Sequence, residues 1–84
     1  MTNLAILDRL TPLLREIFDD DGLVATPELM AHQVRGWDSL GSVRVFLEIE
    51  QVFLVRFSAT EISSLRNVGE IADLIEKKVE RNAP

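Results

Sequence analysis

The sequence predicts an all-α protein, a bundle of three longer helices and one short third helix. Apolar residues recur at helical spacing along three stretches of the chain, and capping residues precede the later helices. The one segment that could form a strand, residues 52–57, has no second strand to pair with. A chain of 84 residues has room for one modest core, so we expect a single domain over residues 1–84.

The first helix is predicted over residues 4–18, because its apolar residues fall on one half of the helical wheel. Pro12 lies inside this segment and lacks an amide hydrogen. We therefore expect Pro12 either to bend the helix or to mark a restart with Thr11 as the cap. The run Asp19-Asp20-Asp21-Gly22 should end the helix.

A long loop follows the first helix and reaches to Asp38. Within it, Thr26-Pro27-Glu28-Leu29 predicts one capped turn of helix, because threonine caps helices and proline suits their first turn. A loop of this length has to be held by its own apolar side chains. We expect these to be Leu23, Val24, Leu29, Met30 and Trp37.

The second long helix is predicted from Ser39 to about Phe53. Asp38 can cap it by accepting hydrogen bonds from the first free backbone amides. Ser39 is then the first helical residue, at the positive end of the helix dipole, where an attached phosphate would be stabilised. A capped helix without any modification explains the same residues, so this pattern alone leaves both interpretations open.

The second helix has two apolar faces. One face is predicted to pack in the core and consists of Val45, Phe46, Ile49, Val52 and Phe53. The opposite stripe starts beside the serine and consists of Leu40, Val43, Leu47 and Leu54. The side chains that separate the two faces are Arg44, Glu48 and Gln51 on one flank and Glu50 on the other. The second stripe is either a docking surface for partners or is buried under the long loop.

Two further helices complete the predicted bundle. Ser58-Ala59-Thr60-Glu61 matches a capping box and predicts the short third helix. Asn67 is the predicted cap of the fourth helix. The apolar stripe of that helix consists of Val68, Ile71, Ala72, Leu74, Ile75 and Val79.

Composition excludes several classes of function. The net charge of −5 disfavours a nucleic-acid partner, which requires a basic surface. The chain has no cysteine, so it has no thiol of its own for thioester chemistry. No apolar run is long enough for stable insertion in a membrane, and we expect a monomer in the cytoplasm.

Neither a metal site nor a catalytic site is predicted. Residues 19–21 are acidic but lack the alternating acidic positions and the closing glutamate of a calcium-binding EF-hand loop. A hydrolase built on Ser39 and His32, the only histidine, would also need an oxyanion hole and a pocket. We therefore expect that the protein is not an enzyme.

The sequence resembles the acyl carrier protein family over nearly its whole length. The matching residues are Asp38-Ser39-Leu40, Val43, Leu47, Glu50, Phe53, Phe57, the segment 59–64, Val68, Ile71, Leu74 and Ile75. The resemblance implies a four-helix bundle of acyl-carrier type with a long loop between helices one and two. It also implies that Ser39 is the attachment site of 4'-phosphopantetheine, which a phosphopantetheinyl transferase delivers from coenzyme A. The arm would supply the thiol that the chain lacks, and enzymes that transfer, ligate or condense acyl groups would act on its thioesters.

The resemblance further implies two sets of working residues. Members of the family commonly shelter the acyl chain among residues that would also be core: here these are Phe46, Ile49, Ile62, Leu65 and Ile75. The docking surface beside the serine would consist of Leu40, Val43, Arg44, Leu47, Glu48 and Glu50.

Two positions depart from the pattern of fatty-acid carriers. Gly41 and Arg44 stand where those proteins usually have acidic residues, which predicts weaker binding to partners with basic surfaces. Gly36-Trp37 before the serine and Gly41-Ser42 after it look more like specialised carriers, such as polyketide carriers, than like the housekeeping fatty-acid carrier. A peptidyl or aminoacyl carrier is one alternative, and an unmodified helical protein-interaction module is another.

Overall fold

The computed structural model describes residues 2–82 and contains no strand in that range. Its elements are α1 (Asn3–Phe18), a 3₁₀-helix (Ala31–Gln33), α2 (Ser39–Phe53), α3 (Ala59–Ser64) and α4 (Val68–Asn82). The predicted all-α fold is confirmed, with three longer helices, a short third helix and a long loop after the first. No helix in residues 2–82 has both the length and the apolar character needed to cross a membrane.

Helix α1 runs without a break through Pro12. The predicted restart at Thr11 is therefore wrong. The Thr11 hydroxyl instead donates a hydrogen bond to the carbonyl of Leu7 (3.2 Å) and accepts one from the amide of Ala25 (3.0 Å). Thr11 thus ties the long loop to the side of α1 instead of starting a new helix.

The turn predicted at residues 26–29 forms, with the Leu29 amide donating to the Thr26 carbonyl at 3.2 Å, but it is not part of a helix. These residues form an isolated turn, and the short helix of the loop comes later, at Ala31–Gln33. The carbonyl of Pro27 accepts from the amide of Gly69 and that of Leu29 from the amide of Val68, both at 2.9 Å. These two hydrogen bonds hold the turn against the start of α4 and satisfy two of the free amides of that helix.

The residues that hold the loop differ in part from the prediction. Leu23 is buried, and Leu29 and Trp37 pack partly buried against the core, as predicted. Val24 and Met30 are exposed, and the buried loop residues besides Leu23 are Ala25 and Val34.

One cluster of buried side chains from α1, α2, α4 and the loop forms the core. Phe46, Ile49 and Ile75 belong to it, and Ile62 and Leu65 pack against it partly buried. The other members of this cluster on the three long helices are Ile6, Leu7, Leu10, Leu14, Val45, Phe53, Val68, Ile71 and Ala72. The core position predicted for Val52 is wrong: it is 42% exposed, because α1 leaves a cleft open over that edge of α2.

Aromatic contacts show that α1 and α2 run in opposite directions. Phe18, the last residue of α1, stacks on Trp37 just before α2, with ring centroids 5.3 Å apart. The guanidinium of Arg9 lies 5.3 Å from the centroid of the Phe53 ring at the other end of α2. The end of α1 therefore supports the segment from which α2 begins.

Helix α3 begins with the predicted capping box. The Ser58 hydroxyl accepts from the Glu61 amide (3.1 Å), and the Glu61 carboxylate accepts from the Ser58 amide (2.9 Å). Lys78 of α4 pairs with the same carboxylate at 3.0 Å. The Ser58 amide first, and then the Lys78 side chain, hold the pKa of Glu61 below its usual value, which shows that both contacts favour the charged carboxylate.

Candidate functional site

The structure places the cap of α2 at Asp38. Its backbone is extended, and its carboxylate accepts a hydrogen bond from the amide of Gly41 at 2.9 Å. The Asp38 carbonyl accepts from the amide of Ser42, also at 2.9 Å. Ser39 is therefore the first residue of the helix, where the remaining first-turn amides and the helix dipole favour a negative group.

Two serines stand in the first turn of α2, and they have different surroundings. Ser39 is exposed. Ser42 is partly buried, and its hydroxyl accepts a hydrogen bond from the indole nitrogen of Trp37 at 2.8 Å. Ser39 thus offers its hydroxyl to another molecule, whereas Ser42 anchors the segment that leads into the helix.

Two glycines shape that leading segment. Gly36 has a φ angle of 90°, which favours glycine, and its carbonyl points at the first turn of α2. A Cβ atom on Gly41 would lie 2.6 Å from the Gly36 carbonyl oxygen and 3.2 Å from the ring of Phe18. Gly41 is buried. Gly41 therefore also has a structural role that the sequence interpretation did not include, because the glycine allows close packing beneath the serine.

Replacing Gly41 by alanine is expected to destabilise the protein by about 1–3 kcal/mol, because backbone and an aromatic ring fill the space that the methyl group needs. Chemical unfolding measures the effect. Gly22→Ala is the matched control, since the nearest atom to a Cβ there is a flexible side-chain oxygen at 3.6 Å. Equal free energies of unfolding for Gly41→Ala and the native chain would contradict the described packing.

The second apolar stripe of α2 is exposed. Leu40 is 72% exposed, Val43 and Leu47 are each 54% exposed, and Leu54 is 81% exposed. The alternative in which the long loop buries this stripe is therefore wrong. Leu40, Val43 and Leu47 lie on α2, whereas Leu54 is the C-cap that follows it in the left-handed conformation. Together these exposed aliphatic side chains form a surface that suits contact with another protein.

The charged residues predicted for docking occupy two different places. Arg44 and Glu48 are exposed on α2. Glu50 is partly buried, and its carboxylate accepts a hydrogen bond from the amide of Phe57 at 2.8 Å. Glu50 therefore holds the connection between α2 and α3, which a wheel of α2 alone could not reveal.

A small cavity of about 70 Å³ lies between α2, α3, α4 and the loop. Phe46, Ile62 and Leu65 line it, together with Trp37 and Ser42. The other two residues of the predicted acyl-chain set, Ile49 and Ile75, are fully buried in the core and are not among its lining residues.

The acidic run after α1 has structural roles. Asp19 is the C-cap of α1 in the left-handed conformation, and the Asp20 carboxylate accepts from the amide of Gly22 at 3.0 Å. Within residues 2–82, no group of three or more acidic or histidine side chains is placed to hold a metal ion. His32 is exposed on the 3₁₀-helix, and in the same range no hydrogen bond joins it to Ser39.

The fold and the site define a small helical protein that presents a serine beside an exposed apolar helix face. No protein-family model matches the chain, and no curated protein that was compared matches it. Among solved structures, the chain is similar to the solution NMR structure of the holo acyl carrier protein from Geobacter metallireducens. The two share 41% identity over 90% of this chain and 87% of that chain, with a TM-score of 0.85. The protein belongs to the acyl carrier protein family.

Proposed function

We propose that the protein carries acyl groups as thioesters on a 4'-phosphopantetheine arm attached to Ser39. It presents these groups to enzymes of fatty-acid, polyketide or related biosynthesis. The observation that carries the proposal is the exposed serine at the first position of α2, in a chain similar to a holo acyl carrier protein.

The residues around Ser39 suit a phosphodiester. The first turn of α2 offers backbone amides and the positive end of its dipole to the negative charge. Asp38 and the contact of Gly36 with Gly41 fix the direction of this turn. The arm supplies the thiol for the thioester, because the chain contains no cysteine.

Incubation with coenzyme A and a broad-specificity phosphopantetheinyl transferase, followed by intact mass, tests the proposal. We expect one phosphopantetheine on the native chain and none on Ser39→Ala. Ser42→Ala is the matched control. This variant should still accept one group on Ser39, because in the native chain the Ser42 hydroxyl is engaged with Trp37 and does not take part in attachment. An unmodified native chain, or a modified Ser39→Ala variant, would overturn the proposal.

We also propose that the chain acts as a single domain over residues 1–84, as a monomer in the cytoplasm, and without catalysis of its own. The single cluster of buried side chains in residues 2–82 supports one domain. Among residues 2–82 no hydrogen bond joins His32 to Ser39, which favours a carrier over a hydrolase, because a nucleophilic serine needs a base within hydrogen-bond reach.

A further inference from the structure

Helix α3 depends on its surroundings more than the three long helices do. It has only six residues, and none of them is buried. A helix this short is not stable in water by itself, so contacts with the rest of the chain fix its position. Its residue Ile62 and its C-cap Leu65 form one wall of the cavity between α2, α3, α4 and the loop. The position of α3 therefore sets the size of that cavity.

One polar contact between helices holds α3 in place. Among residues 2–82, the pair of Lys78 with Glu61 is the one hydrogen bond or ion pair that joins α3 to another helix. The ammonium nitrogen of Lys78 lies 3.0 and 3.1 Å from the two carboxylate oxygens of Glu61. The Lys78 side chain is only 15% exposed, so salt screens this pair less than it screens a pair on the open surface.

Lys78 also contacts an aromatic pair that leads to the cavity. Its ammonium nitrogen lies 5.3 Å from the centroid of the Phe57 ring, within the range of a cation–π interaction. The Phe57 ring packs edge-on against Phe46, which lines the cavity, with centroids 5.2 Å apart. The Glu50 carboxylate accepts from the Phe57 amide and ties the same segment to α2. Lys78 thus fastens both α3 and the segment before it to α4.

The cavity as described is too small for a long acyl chain. An apolar cavity of about 150 Å³ holds benzene, which has six carbons. The volume here is about 70 Å³, which on the same scale leaves room for about two or three carbons. A longer chain therefore requires a wall of the cavity to move. Among the helices that line it, α3 alone has no buried residue.

We propose that Lys78 limits the size of the acyl group that the cavity admits, because it holds α3 against α4 as a wall of the cavity. The proposal rests on the proposed function and on the predicted shelter of the acyl chain by Phe46, Ile62 and Leu65. Without the ammonium group, α3 moves away more often, and the larger cavity is populated more often. A long chain occupies only that larger state, so loosening α3 favours its entry.

Hydrogen exchange of the unloaded protein tests the tie between Lys78 and α3. Lys78→Met removes the charge and keeps an unbranched side chain. We expect the amides of Ile62 and Leu65 to exchange about fivefold faster in this variant, whereas the amide of Ile49 stays within about twofold of its native rate. Lys77→Met is the matched control, because it removes the exposed ammonium group next in the chain. Lys78→Arg should restore nearly native rates, since a guanidinium can make both contacts.

Loading with acyl groups of two lengths tests the effect on the cavity. A broad-specificity transferase attaches the arm from acetyl- or octanoyl-coenzyme A. Trp37 lines the cavity, so its fluorescence reports a chain inside. We expect the difference in emission between the octanoyl and acetyl forms to be about twice as large in Lys78→Met as in the native chain or in Lys77→Met.

Equal exchange of α3 in Lys78→Met and Lys77→Met, or an equal octanoyl signal in the two, would overturn the proposal while the proposed function stands. Exchange that accelerates at Ile49 by the same factor as at Ile62 would also overturn it, because Lys78 would then support the whole fold. A native chain that the transferase does not load would contradict the proposed function itself.

Discussion

Ile49→Ala is expected to reduce the free energy of unfolding by about 2–5 kcal/mol, a large part of the stability of a domain this small. Ile49 has no exposed surface and lies in the one cluster of buried side chains that joins α1, α2 and α4. Its truncation leaves a cavity that the neighbouring helices cannot fully close. Urea unfolding followed by the fluorescence of Trp37, the single tryptophan, measures the change.

Val52→Ala provides the control for this prediction. The helical wheel of α2 assigns Val52 and Ile49 to the same face, but Val52 is 42% exposed over the cleft between α1 and α2. We expect Val52→Ala to cost less than about 1 kcal/mol. Equal losses for the two variants would show that α1 covers Val52 and that the cleft is closed.

Leu47→Glu is expected to lower kcat/KM for loading by a phosphopantetheinyl transferase roughly 10- to 100-fold, as for a central residue of a protein interface. Leu47 lies in the middle of the exposed stripe between Leu40 and Leu54. A carboxylate there puts a charge into an apolar contact without disturbing the core. The free energy of unfolding should therefore stay within about 0.5 kcal/mol of the native value.

The control is Leu4→Glu, which introduces the same charge on an exposed leucine of α1. This variant should be loaded at close to the native rate. If Leu47→Glu were loaded as well as Leu4→Glu, the stripe would not be the docking surface. A loss shared by both variants would indicate that the added charge acts over a distance, and not through contact at α2.

The local features of this fold could be predicted from the sequence, because each depends on residues close together in the chain. Asp38, Ser58 and Asn67 start their helices through hydrogen bonds that span three residues. The helical spacing of apolar residues likewise depends on neighbours in the chain, and it identified most of the core residues of the long helices. Ser39 could be selected because its position in the helix follows directly from the cap at Asp38.

Other features depend on contacts between distant segments and could not be predicted. The packing role of Gly41 becomes visible only when the Gly36 carbonyl and the Phe18 ring are placed against it. Glu50 lies on the flank of the helical wheel, but its partner is the amide of Phe57 beyond the end of α2. The exposure of the second apolar stripe also depends on the path of the long loop. The helical periodicity within α2 carries no information about that path.

We propose that Ser39 carries an arm that brings a thiol to a chain without cysteine. The thiol is measured on the denatured protein, before and after incubation with coenzyme A and transferase and removal of small molecules. We expect no thiol before loading and one per chain afterwards, with none at any stage in Ser39→Ala. A loaded native chain without a thiol, or a thiol on Ser39→Ala, would contradict it.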